Sequence, residues 1–297
     1  MNLQNPKKFK LLIDQAHEVA LNVLRPISRK YDKAEHAYPK ELDMLASVVD
    51  GMNAGSEGMN AGAAVNKRGD TDTSNKNGVN MSTALSIIEM CYGDTGLLLS
   101  MPRQGLGNSA IAAVANEEQL TRFEGTWAAM AITEPGCGSD SAAIRTTATK
   151  DGDDYILNGE KIFVTSGERA DSVVVWATLD KSLGRAAIKS FVVLKGTPGM
   201  KVERLEHKLG IKASDTAAIS FVDCRVPAAN LLGNADIDVA KGFAGVMETF
   251  DNTRPLVAAM AIGCSKASLE RIKEIFKDQL DTDYGTPYLQ TSHIAAQ

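Results

Sequence analysis

No run of this chain reaches the roughly 18 apolar residues that a helix needs to cross a bilayer, and its opening MNLQNPKKFK carries no apolar core of a secretory signal. A basic excess is also missing. A formal net charge of −5 and a pI near 5.5 argue against nucleic acid or an anionic membrane surface as the main partner. Cysteine is sparse: Cys91, Cys137, Cys224 and Cys264 stand far apart without a CxxC pair, which excludes a disulfide framework and suits reduced thiols. His17, His36, His207 and His293 show no metal-ligand spacing, so no metal is expected and each histidine is read as a surface residue. The expected location is a bacterial cytoplasm or an organelle matrix, with no membrane span.

What is present is ample core material. A hydrophobic fraction of 44% in 297 residues allows two or three packed domains. Phe9, Leu12, Ile13, Ala16, Val19, Ala20 and Val23 recur at helical spacing, and Met81 to Met101 forms a second apolar helical stretch. Between them, about residues 50–80, GMNAG occurs twice (51–55 and 58–62) in a polar run without apolar periodicity, read as a mobile surface insertion. From Trp127 the pattern turns to strands, including Ser172–Leu179, Ala187–Lys195, Met200–Leu205 and Ala217–Asp223, read as a small antiparallel barrel or sandwich. Helical spacing resumes at Val239. Pro255 should kink or unwind that helix near Asp251. The fold class is therefore α+β. Its parts are an N-terminal helical domain over 1–126, a middle antiparallel β-barrel over 127–235, and over 236–297 the start of a C-terminal helical bundle.

Chemistry concentrates at Ala129 to Asp140, AMAITEPGCGSD. An apolar strand there meets Pro135, which cannot continue a ladder, and Gly136 and Gly138 permit a sharp turn. Such a turn, bearing Thr133 and Ser139, either closes as an ordinary loop or offers its hydroxyls and N–H groups to a polar ring edge or a phosphate. Further on, Tyr155 to Leu157 and Glu160 to Val164 flank Asn158-Gly159, a strong hairpin signal, and the return strand ends at Thr165-Ser166-Gly167.

AITEPGCGSD, LNGEKIFVTSG and the later FDNTRP at 250–255, in that order, resemble the acyl-CoA dehydrogenase family, closest to its medium- and short-chain members. The likeness covers 6–45 weakly and 83–280 strongly. It implies FAD held against the middle barrel by Met130, Ile132, Thr133, Ser139, Phe163, Val164 and Thr165. Phe163 stands where many relatives carry Trp; the alternative is that it packs in the core. The resemblance also implies an acyl-CoA thioester substrate touched by Ser139, Phe250, Asp251 and Arg254, with Arg254 serving instead or as well in an ion pair to Asp251 or Glu248. An electron-transferring flavoprotein is the implied electron acceptor, fatty-acid β-oxidation the setting, and a homotetramer or hetero-oligomer the assembly. The reaction needs a carboxylate base. Relatives place it in a C-terminal Tyr-Glu-Gly segment that these residues do not contain, or just before the arginine, where this chain has Thr253. The base is expected beyond residue 297, and a non-catalytic flavin or acyl-CoA binding subunit or a flavin oxidase stay open as alternatives.

Overall fold

The computed structural model describes residues 7–53, 79–103, 106–237 and 244–280. The amphipathic N-terminal spacing becomes α1 (Lys10–Val19) and α2 (Arg25–Lys33), joined by one wider π turn over Ala20–Leu24. Ala20 and Leu24 in that turn are fully buried. α3 spans Glu41–Asn53 and α4 spans Val79–Gly93, so helix enters both ends of the expected insertion, whose remainder lies outside the described residues. The apolar stretch to Met101 is not one helix. Asp94 accepts a hydrogen bond from the Leu97 N–H at 2.8 Å and so starts a separate α5 (Thr95–Leu99). α6 (Leu106–Val114) and α7 (Glu117–Arg122) follow, the latter opened by a reciprocal Asn116/Gln119 cap.

One seven-stranded sheet forms the middle: β1 (Ala128–Ala131), β2 (Thr147–Asp151), β3 (Asp154–Thr165), β4 (Ser172–Thr178), β5 (Ile188–Leu194), β6 (Met200–Leu205) and β7 (Thr216–Pro227). Most pairings are antiparallel. β1 and β2, however, run parallel to β4 along the same side of it. β4 is buried along its whole length, as the apolar VVVWA at its centre requires. Its two faces feed two cores, one through Val173, Val175, Phe191 and Phe221, the other through Val174, Trp176, Val192 and Phe123 of the helical side.

The hairpin expected at Asn158-Gly159 is corrected. β3 runs straight through both residues, and the chain reverses earlier, between Asp151 and Asp154, where Gly152 takes φ +60°. Asn158-Gly159 instead makes a bulge against β7. Gly159 is needed because a Cβ there would stand 2.4 Å from the Thr146 hydroxyl.

α8 (Ala244–Leu280) passes through Pro255 without the unwinding expected near Asp251. The helix is held from outside. The Lys266 ammonium lies 2.9 Å from Glu89 on α4, the Tyr92 hydroxyl donates to Glu270 at 2.5 Å, and Gly263 lets the Ile88 carbonyl approach to within 2.2 Å of where a Cβ would be. Among the described residues no helix is long and apolar enough to cross a membrane, and all four cysteines are free thiols.

The same close approach occurs where α6 crosses β1. A Cβ on Gly107 would fall 2.2 Å from the Ala129 carbonyl oxygen, whereas one on Gly210 meets nothing within 4 Å. Gly107→Ala should therefore destabilise by about 1–3 kcal/mol through overpacking. Gly210→Ala should change stability by less than about 0.5 kcal/mol. Urea unfolding of the two variants checks the difference.

Candidate functional site

The turn after β1 and the middle of β3 are bound together by a buried ion pair. The Lys161 ammonium is fully buried and lies 2.8 Å from Glu134 Oε1; it also donates to the Ile132 carbonyl at 3.1 Å. Glu134 is saturated: Oε1 accepts the Thr146 hydroxyl (2.6 Å) and N–H (2.9 Å), and Oε2 accepts the Arg145 N–H at 2.7 Å. The turn itself is closed by paired backbone bonds between Glu134 and Cys137 at 3.0 and 3.1 Å. A bond from the Ile162 N–H to the Thr133 carbonyl, 2.9 Å, completes the junction. Burial alone would raise the Glu134 carboxyl, but the Lys161 charge and these donors hold it below its usual value. Burial also lowers Lys161, with Glu134 opposing that fall.

Directly beside this pair the backbone is strained. Lys161 and Val164 both point inward because a register shift against β7 falls between them, and Phe163 takes φ +57° to make it. The Phe163 ring is thereby turned outward and is 61% exposed, against the alternative of core packing. Val164 is corrected in the other direction. Its side chain is 1% exposed, in the sheet core, so only its backbone is left for a ligand. Thr133, Thr165 and Met130 are half-buried, Ile132 is buried, and Ser139 is exposed on the turn, where Gly136 and Gly138 face open space.

Of the positions expected around a cofactor ring, Ile132, Thr133 and Phe163 stand at this junction, Met130 lies in β1 and Thr165 ends β3. The substrate positions on α8 form a separate group. Asp251 and Arg254 are exposed there and 3.7 Å apart, a surface pair, while the side chains of Phe250 and Glu248 lie outside the described residues. Thr253 is buried. The hollows of about 390 Å³ bounded by Arg25, Asp94 and Arg271, and of about 580 Å³ bounded by Trp127, Arg169 and Lys195, lie away from the junction.

Two histidine expectations also change. His17 is half-buried and its Nδ1 is 2.8 Å from Glu89. His36 and His207 meet, ring centroids 5.4 Å apart, and both ring nitrogens of His36 are buried. His207 is exposed as expected, and His293 lies outside the described residues.

Glu134 and Lys161 were not singled out by their sequence context, although the period-2 register places Lys161 inward with Tyr155 and Leu157. Lys161→Met should cost about 3–5 kcal/mol, because it strands the Glu134 charge in the interior. The Glu134→Gln/Lys161→Met double variant should lose less than the sum of the singles. With its folded-state pKa below 4.5, Glu134 contributes stability that is present above pH 4.5 and lost as pH falls through the lower folded value. Lys161→Met removes the charge that holds Glu134 low, so this acid-dependent contribution should be lost and the variant's stability should fall less steeply than the parent's below pH 4.5, measured by urea unfolding across a pH series.

The middle-domain model of the acyl-CoA dehydrogenases matches residues 129–224, which include the junction and all of β2 to β6. The short-chain-specific acyl-CoA dehydrogenase of Clostridium acetobutylicum is 31% identical over 94% of this chain and 71% of its own length. The mitochondrial short-chain-specific enzyme of Rattus norvegicus is 32% identical over 91% of this chain and 63% of its own. The structure of butyryl-CoA dehydrogenase from Megasphaera elsdenii superposes with a TM-score of 0.78 at 28% identity, covering 100% of this chain and 75% of that one. The chain thus spans roughly two thirds to three quarters of the enzymes it matches. With the motif junction, the sheet and the flanking helices all in common, this chain belongs to the acyl-CoA dehydrogenase family of oxidoreductases.

Proposed function

We propose that the chain takes part in FAD-dependent α,β-dehydrogenation of an acyl-CoA thioester, with electrons passing to an electron-transferring flavoprotein. The observation that carries this reading is Phe163: a strained backbone turns a large apolar ring out of the sheet beside a turn fixed by a buried ion pair. Strain of this kind costs about 1–3 kcal/mol and collects at ligand sites. A flat exposed aromatic face, with the half-buried Thr133 and Thr165 on the adjoining segments, fits an isoalloxazine ring, apolar across its face and polar at its edges.

FAD, when bound, supplies the acceptor for hydride leaving the β carbon. In this reading the Phe163 ring packs against the flavin and keeps water from it. Thr133 and Thr165 hold the polar edges, Met130 and Ile132 line the side toward β1, and the exposed Ser139 meets the CoA arm. Asp251, Arg254 and Phe250 of α8 take the substrate side. Proton abstraction at the α carbon needs a positioned carboxylate, and none of the described residues is given that role here.

Replacing an aromatic packing partner removes about 0.5–1.5 kcal/mol beyond area burial, or about 2- to 10-fold in affinity. Phe163→Ala with Thr165→Val should weaken FAD binding by at least that much, read by flavin fluorescence titration of the full chain. FAD binding unchanged in the double variant would overturn the ring assignment. Bound flavin that acyl-CoA thioesters never bleach would favour the binding-subunit alternative. Arg254→Ala should lower acyl-CoA turnover, or thioester affinity, while shifting stability by less than about 1 kcal/mol, since its pair with Asp251 is exposed. A large melting loss with normal kinetics would assign Arg254 to structure.

A further inference from the structure

A cluster remote from the flavin junction joins the helical part of the chain to the sheet. Glu35 and His36 follow α2, and His207 follows β6. One Glu35 oxygen lies 2.9 Å from His207 Nδ1, and the other accepts the Lys208 N–H, also at 2.9 Å. His36 takes φ +68°, a left-handed backbone uncommon for a residue with a Cβ. The Arg169 guanidinium steadies it there by donating to the His36 carbonyl at 3.2 Å and to the Ala37 carbonyl at 3.0 Å. The left-handed turn brings the imidazole toward Glu35 and His207, so that one ligand atom from each of the three residues falls within 4.8 Å of the others.

Neither ring nitrogen of His36 has a hydrogen-bond partner, and both are shielded from solvent. Leaving a buried polar group unpaired is unfavourable, and such groups in a native structure call for a partner. No nearby acceptor or donor serves. From this geometry we propose that Glu35, His36 and His207 form a binding site for a borderline divalent transition ion such as Zn²⁺. Two imidazoles and one carboxylate are the donor set of such ions, with solvent completing the shell. Bonds of about 2.0–2.2 Å set ligand atoms roughly 3.4 Å apart. Glu35 and His207 are already closer than that, and the exposed His207 side chain, 85% accessible, can turn toward His36. His36 also borders the 580 Å³ hollow.

One Glu35 oxygen meets His207 and the other the Lys208 N–H, so turning His207 toward His36 frees the first oxygen for an ion. The bound ion would cross-link the segment after α2 to the segment after β6, so its role is structural.

The test is calorimetric titration of the full chain with ZnCl₂, together with thermal melts with and without Zn²⁺. One Zn²⁺ per chain is expected, and a rise in melting temperature on its addition. His207→Ala and His36→Asn should each weaken binding at least tenfold and abolish the thermal shift; asparagine tolerates the left-handed backbone, so the second variant keeps the fold. Cys264→Ser, an exposed thiol elsewhere, should bind as the parent does. Absence of saturable Zn²⁺ binding, undiminished binding in the two histidine variants, or loss confined to Cys264→Ser would each overturn the site.

Discussion

The buried pair of Glu134 and Lys161 fixes the geometry on which the proposed site depends. Neither charge is tolerable alone in this interior, since each would lose several kcal/mol of hydration without compensation. Together with Thr146, Arg145 and the Ile132 carbonyl they satisfy one another, and the cost of burial becomes a constraint on position. β1, the segment before β2, and β3 must all stand where these groups meet. The Thr133 to Ser139 turn is therefore held from beneath by directional bonds rather than by its own two glycines.

A second polar hub does for the helices what this pair does for the sheet. Arg169, following β3, reaches the Asp215 carboxylate at 3.4 Å, the Ser100 hydroxyl at 3.3 Å and the carbonyls of Ala213, His36 and Ala37. A planar guanidinium with five donors can serve the residue that ends α5, the segment after α2 and the segment before β7 at once, which a lysine could not. Asp215 in turn accepts the Glu168 N–H at 2.9 Å. The apolar clusters supply most of the favourable free energy of folding. These two charged knots decide which arrangement of the layers they stabilise.

Much of this was legible in the residues. Ser172–Leu179 read as strand, Met200–Leu205 was bounded correctly by its turn residues, and helical spacing located α1 and α8. The misreadings share one cause, that local signals were outvoted by contacts far along the chain. Asn158-Gly159 carries a hairpin signature, yet β3 continues through it because β7 runs beside its whole length and Thr146 needs the space a side chain would take. Pro255 should break a helix, yet α8 is clamped to α4 on the far side of it. His36 and His207 look scattered until β6 and α2 end at the same corner. Lys161 and Glu134 were hidden for the opposite reason: a charge in a strand and an acid in a turn are each ordinary, and only their meeting is not.

The position of Phe163 shows how the two levels connect. Strict alternation along β3 would send residues 161 and 163 to the same face, so an inward Lys161 would drag the phenyl ring into the core and push Val164 out. The register shift between Lys161 and Val164 breaks that parity, and φ +57° at Phe163 is the backbone torsion by which it is broken. A left-handed residue with a Cβ costs about 1–2 kcal/mol, which burial of Val164 and the anchoring of Lys161 on Glu134 together offset. The exposed ring is thus no accident of a loose edge. It follows from a charge that must be inside, a valine that gains by being inside, and a strand that can accommodate both only by turning the residue between them toward solvent.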